Sequence, residues 1–252
     1  GSIGDGNYPR ALVMSLHEGV QGEIHFPKRR DVFQFDDEVS AIFDSMAVRS
    51  IPMYNEVHRM HVSMFAHKLT KGCIVADVGS STGHLFRNIE AQLGVKLQQA
   101  GISGYAIDLS SSMMARLTAE FPSVTPVIGD ISAMPDLPEP ADIIFCLYTL
   151  QFVHPDRKYA AMEWLTRNLK HDGILVIGQK DELPPTFATE AEAEYYKFRM
   201  DNGYTMAEIK AKTKALQKSM WPTTPEYISL YFTFNGMVVQ ETTRWLQFST
   251  IV

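Results

Sequence analysis

The sequence is short of cysteine, with two thiols, Cys73 and Cys146, in 252 residues. Both stand in apolar runs that read as separate buried strands, which excludes a disulfide framework and a cysteine-rich zinc site. Positive charge is not in excess either: 23 Lys+Arg against 29 Asp+Glu leave a net charge of −6. The overall field therefore does not draw in a polyanion, and direct binding to nucleic acid is not expected. No apolar run reaches the length of a membrane span, and residues 1–7 carry neither the basic nor the apolar part of a secretory leader. The expectation is a cytoplasmic protein away from membranes. P-loop, nucleophile-elbow and metal-ligand spacings are missing too. His58 and His61 stand three apart with no acidic or cysteine partner at ligand spacing, so they read as packing or surface residues and no metal is expected.

What is present is ordinary globular material, 45% hydrophobic and 21% charged, in a length that suits one α/β domain. Residues 1–32 are polar, punctuated by Gly and Pro, and carry Lys28-Arg29-Arg30 near their end; they read as a tail or arm. The domain is expected over 33–252. Apolar residues at 35, 39, 42, 43 and 46 mark an amphipathic helix that stops before Pro52, and a second helix is expected from 54 to about 69.

An alternation follows. Strands are expected at 73–78, 103–108, 125–130, 141–148 and 173–180, with helices after the first, second and fourth. Strands separated by helices imply right-handed crossovers and a mostly parallel, doubly wound sheet covered on both faces. Helices at 189–199 and 205–220 come next, and strands near 238–245 and 247–252 end the chain.

Ligands of such sheets bind beyond the carboxyl ends of the strands. The first strand ends in Asp77-Val78-Gly79-Ser80-Ser81-Thr82-Gly83, where Gly79 and Gly83 allow close backbone approach and the next helix offers free N–H groups. Ser81 occupies the middle glycine position of the dinucleotide fingerprint, so a pyrophosphate is disfavoured. Asp77 would also repel a pyrophosphate, whereas it suits an ammonium group. Asp108 ends the second strand, where an acid can accept from two ribose hydroxyls. Gly129-Asp130-Ile131 ends the third and can read an adenine edge. A strand-end Asp is by itself more often a cap, but three in order describe a pocket for a nucleoside joined to an amino acid.

That pattern resembles the class I S-adenosylmethionine (SAM) dependent methyltransferases over about residues 33–252. Phe35-Asp36 with Val39, Arg49-Ser50-Ile51-Pro52 with Tyr54, Tyr148-Thr149-Leu150-Gln151-Phe152 and Asn202-Gly203-Tyr204 narrow it. They are similar to the carboxy-S-adenosylmethionine synthases of wobble-uridine tRNA modification. The resemblance implies a Rossmann-like, seven-stranded sheet with N-terminal helices and a helical lid insertion at about 184–230. It implies SAM as cofactor, with contacts from Tyr54, Gly79, Ser80, Ser81, Asp108, Leu109, Asp130 and Ile131. It also implies that the arm and the lid meet a second subunit, so a homodimer is expected.

Two positions depart from that family. Its arginine for the cofactor's extra carboxylate falls, by an ungapped count from Asn202, on Thr213, and an asparagine near the end of the fourth strand becomes Leu147. Lys212 and Lys214 flank Thr213, but neighbours on a helix point roughly 100° apart. Loss of a charge-assisted partner costs about 1.5–3 kcal/mol. The expected function is therefore methyl transfer from SAM to a small-molecule acceptor, leaving S-adenosylhomocysteine. The alternatives are carboxy-SAM synthesis from SAM and prephenate, and SAM binding without catalysis. Catalytic candidates are His154, Tyr148, Arg199 and Tyr204. A histidine before proline is more often a cap, Tyr148 and Phe152 suit aromatic walls, and Arg199 serves equally as a surface charge or an anion clamp.

Overall fold

The computed structural model describes residues 37–252; the expected arm at 1–32 lies outside them. Two helices come first, α1 (Asp37–Ser50) and α2 (Tyr54–Met64). Burial over the next strand runs unbroken: all five residues of β1 (Ile74–Val78) are buried, as befits a central parallel strand covered on both faces. Then come α3 (His84–Leu93), a single helical turn α4 (Leu97–Ala100), β2 (Ser103–Asp108), α5 (Ser111–Glu120) and β3 (Val124–Ile128). The second half holds β4 (Ala141–Leu147), α6 (Pro155–Arg167), β5 (Leu169–Lys180), α7 (Pro185–Asp201), α8 (Met206–Leu216), α9 (Pro225–Phe234), β6 (Glu241–Trp245) and β7 (Phe248–Ile251).

The seven strands lie in the order β3-β2-β1-β4-β5-β7-β6. β1 to β5 are parallel, and β7 joins antiparallel to both β5 and β6. This is the doubly wound, mostly parallel sheet that the alternation implies. Alternate residues feed two cores. Val75, Ile143 and Phe145 meet Phe86, Ile89, Met113 and Leu117 on one face. Ala76, Ile144 and Cys146 meet Met162, Trp164 and Leu165 on the other. The order in which strands join the sheet reverses between β1 and β4, and the crevice there opens above the carboxyl ends of the strands.

The first two helices form where expected, except that α2 ends at Met64 rather than near 69, and both histidines of α2 are structural. His58 and His61 are buried, and their Nδ1 atoms lie 2.8 Å from the carbonyls of Tyr54 and Val57. Burial pushes His58 down to about 3, so it stays neutral.

Helix α9 was not expected from the sequence. Its residues, PEYISLYFTF, are rich in aromatic and β-branched types that favour strands. Pro225 at its first turn and the buried pair Ile228 and Phe232, four apart, nevertheless make it a helix that covers the second core.

Candidate functional site

A cavity of about 830 Å³ lies over the carboxyl ends of the parallel strands, between them and α1, α7 and α8. Its floor is the turn after β1. Gly79 adopts φ +76°, and its N–H donates to Ile107 O at 2.8 Å, tying the turn to β2. A Cβ at Gly79 would lie 2.0 Å from Thr149 Oγ1, so no side chain fits there. Ser81 also takes a left-handed conformation, φ 51°, and its N–H donates to Asp108 Oδ2 at 2.9 Å. Ser110 N–H donates to the other oxygen, Oδ1, also at 2.9 Å. Asp108 is thereby fixed at the mouth of the crevice, with lone pairs left for a diol. Burial raises its carboxyl, and the backbone donors partly offset this.

The cavity wall brings together Tyr54, Gly79, Ser81, Asp108, Leu109, Asp130 and Ile131, seven of the ten expected cofactor contacts. Leu109 is 71% exposed, an open apolar shelf beside Asp108. Asp130 accepts from Ser132 N–H at 2.8 Å and pairs with Arg157 at 3.2 Å. The other three lie off the wall. Ser80 is buried and its hydroxyl donates to Asp77 O. Gly83 caps α3 at φ 90°, where a Cβ would meet the Phe121 ring at 2.8 Å. Asp77 is buried behind the turn, and burial together with the charge of Asp108 pushes it up to about 8.

Of the catalytic candidates, Tyr148, His154 and Arg199 line the cavity and Tyr204 does not. His154 serves as a cap: its Nδ1 accepts from Asp156 N–H at 3.3 Å, and its ring meets Trp221 edge-on at 5.0 Å. Tyr148 is buried against Tyr54 and Phe248, and desolvation raises its phenol, so it is a wall rather than a base near neutral pH. Tyr204 lies under the Arg49 guanidinium, 4.2 Å from its ring centre, with its hydroxyl 3.1 Å from Ser50 Oγ.

Arg199 is no surface charge. It is 5% exposed, packed 4.1 Å and 4.7 Å over the rings of Tyr195 and Tyr196. Its Nε finds no hydrogen-bond acceptor among the described residues. Lys180 at the end of β5 and Lys212 on α8 share the wall with it, and Arg157 lines the cavity beside Asp130. Lys212 Nζ donates to Ser50 Oγ at 2.8 Å, and Tyr195 OH donates to Ser50 O at 2.7 Å, so α7 and α8 are tied to the end of α1. Burial and the neighbouring cations push Lys180 down to about 8 and Lys212 to about 7.

The position of Lys212 corrects the sequence reading, which turned it away from Thr213. Helix α8 and the residues after it lie along the cavity, and Lys212, Thr213, Leu216, Gln217 and Met220 all reach it. Lys180 is absent from the candidates although it ends β5, because a strand-end base carries no ribose or adenine signal. Gln151 is a staple, its Oε1 accepting Lys180 N–H at 2.6 Å and its carbonyl accepting Trp221 N–H at 2.7 Å.

A methyltransferase-domain family profile matches residues 75–173. The carboxy-S-adenosyl-L-methionine synthase of Wolinella succinogenes is 30% identical over 240 residues, covering 92% of this chain and 98% of that one. The chain belongs to the carboxy-S-adenosyl-L-methionine synthase family. Its fold is that of the class I SAM-dependent methyltransferases, and it is an enzyme of that superfamily.

Solved structures agree on the fold. An O-methyltransferase family protein from Burkholderia thailandensis superimposes with a TM-score of 0.60 at 14% identity, over 86% of this chain and 59% of that one. Human N-acetylserotonin methyltransferase, solved with SAM, gives 0.55 at 14% identity, over 86% of this chain and 55% of that one. Within this synthase family member, both departures noted from the sequence, Leu147 and Thr213, lie on the cavity wall beside the basic cluster.

Proposed function

We propose that the enzyme binds SAM across the ends of β1, β2 and β3 and transfers its methyl group to a small acceptor that carries an anionic group. The observation that carries this reading is Arg199, buried in the cavity wall with an Nε that lacks an acceptor among the described residues, beside Lys180 and Lys212. A buried donor without a partner costs free energy, and an anion in the cavity removes that cost.

The residues present fit SAM. Asp108 accepts from the ribose hydroxyls, and the shelf of Leu109 with Asp130 and Ile131 takes the adenine. The bare backbone at Gly79 and Ser81 approaches the methionine portion, and Tyr54 covers it. The cofactor supplies a methyl group on a sulfonium leaving group, so the chain's own task is to align the acceptor and exclude water. Tyr54, Tyr148 and Phe248 give it an apolar wall for that purpose. Arg199 and Lys212 orient the anionic acceptor. An acceptor with a proton to lose needs a base; while Nδ1 of His154 accepts the cap of α6, Nε2 carries the ring proton, so His154 can take a proton only at Nδ1, by giving up that cap.

Carboxy-SAM synthesis is the second reading. Family membership favours it, and so does the reach of Lys212 into the wall beside Thr213. Calorimetric titration separates the two. The methyl-transfer reading expects SAM to bind at least as tightly as carboxy-SAM. A preference of tenfold or more for carboxy-SAM would transfer the argument to the second reading.

A further inference from the structure

We propose that the amine of Lys180 is a nucleophile that forms an imine with a small carbonyl compound bearing a carboxylate, a 2-oxo acid, which Arg199 and Lys212 clamp by its carboxylate. The inference rests on the reading of this wall as the seat of an anionic acceptor, and adds a covalent step to it.

Lys180 ends β5 and faces the cavity. Its Nζ sits 4.9 Å from the ring centre of Tyr195, and no hydrogen bond from it to the protein occurs among the described residues. Its amine thus packs over the Tyr195 ring in the cavity wall with no such bond to hold it, whereas Lys212 is tied to Ser50. The charged groups that face it come from two helices: Arg199 and Glu192 on α7 and Lys212 on α8, with Arg49 of α1 acting on Lys212 in turn. Burial and Arg199 hold Lys180 near 8 against the weaker pull of Glu192, so an appreciable fraction is uncharged near neutral pH. A lysine desolvated beside another cation is the usual form of an imine-forming amine.

The step balances without an oxidant or reductant. The amine lone pair forms the C–N bond while the carbonyl π pair moves to oxygen, which is protonated. Nitrogen gives up its two protons, the C–O bond breaks and one water leaves, so amine plus ketone becomes imine plus water. Lys212, within electrostatic range of Lys180 and held near 7, is suited to pass these protons. Arg199 Nε supplies the buried donor that selects a carbonyl compound with a carboxylate over one without.

The test uses the full chain with pyruvate and cyanoborohydride at pH 7.5, followed by peptide mapping. The reduced adduct is expected on Lys180 at ten times or more the yield on exposed Lys71 or Lys214. Acetone, which lacks the carboxylate, should give at least tenfold less. Lys180→Arg, with thermal unfolding and SAM affinity unchanged, should lose the adduct. An adduct spread over the lysines according to exposure, or equal yields from pyruvate and acetone, would overturn the proposal. A SAM titration run alongside distinguishes the failures: SAM bound without an adduct defeats the imine alone, and an adduct without SAM binding supports the imine while defeating the cofactor reading.

Discussion

Replacing Asp108 with alanine is expected to weaken SAM binding by about 10- to 150-fold, or about 1.5–3 kcal/mol, the usual worth of a hydrogen bond to a charged group. The carboxylate has two tasks. It receives Ser81 N–H and Ser110 N–H, both at 2.9 Å, and it keeps lone pairs for the ribose. Alanine removes both and leaves two backbone donors without an acceptor, so part of the loss is disorder in the turn. Asp108→Asn separates the parts, because it keeps the shape and loses the charge. Calorimetry on both variants, with thermal unfolding alongside, should show the asparagine variant folded and still weaker for SAM. Wild-type affinity in the alanine variant would mean that the nucleoside lies elsewhere.

Asp77→Asn is expected to act in opposite directions on stability and on binding. Asp77 is buried, and its carboxyl is pushed up from 3.8 to about 8 by burial first and the Asp108 charge second. A raised acid keeps its proton in the folded chain where the unfolded chain has lost it. Between pH 4 and 8 the unfolded state therefore binds fewer protons, and stability falls as pH rises through that window. At pH 7 this burden has a ceiling of about 4 kcal/mol. The amide's own burial offsets part of the relief, so the substitution should stabilise the ligand-free enzyme by about 1–3 kcal/mol, a rise of roughly 2–10 °C in Tm. The gain should shrink toward pH 4. An ammonium group of the cofactor beside Asp77 would draw off the carboxyl proton and pair with the carboxylate, a pairing that asparagine cannot form, so the substitution should at the same time weaken SAM binding. A melting temperature unchanged across pH 4 to 8 would refute the strained-acid account, and unchanged SAM affinity would remove Asp77 from the ligand set.

The residues that could be read from the sequence share one property: their signal is local. The unbroken apolar runs of β1 and β4, the period of α1 and the acids at the strand ends each sit within a few neighbouring positions. Asp108 and Asp130 were found because a parallel sheet presents its strand ends at one rim, and seven of ten expected cofactor contacts line the cavity. Signals that depend on distant chain segments were not visible. Helix α9 has strand-like residues and is helical because Ile228 and Phe232 cover the second core. Whether Arg199 is a surface charge or a clamp depends on packing between Tyr195 and Tyr196 and the approach of α8. Lys212 was misplaced because one spoke of a helical wheel was treated as the whole face, whereas a helix lying along a cavity exposes a broad stripe. Lys180 also ends a strand, but as a base it bears none of the marks of a ribose or adenine contact.

The most direct test of the account is mass spectrometry of the nucleoside that copurifies with the enzyme, with and without Asp108→Ala. The account predicts SAM or S-adenosylhomocysteine from the wild-type chain and its loss from the variant. Carboxy-SAM from the wild-type chain, or an undiminished nucleoside in the variant, would contradict it.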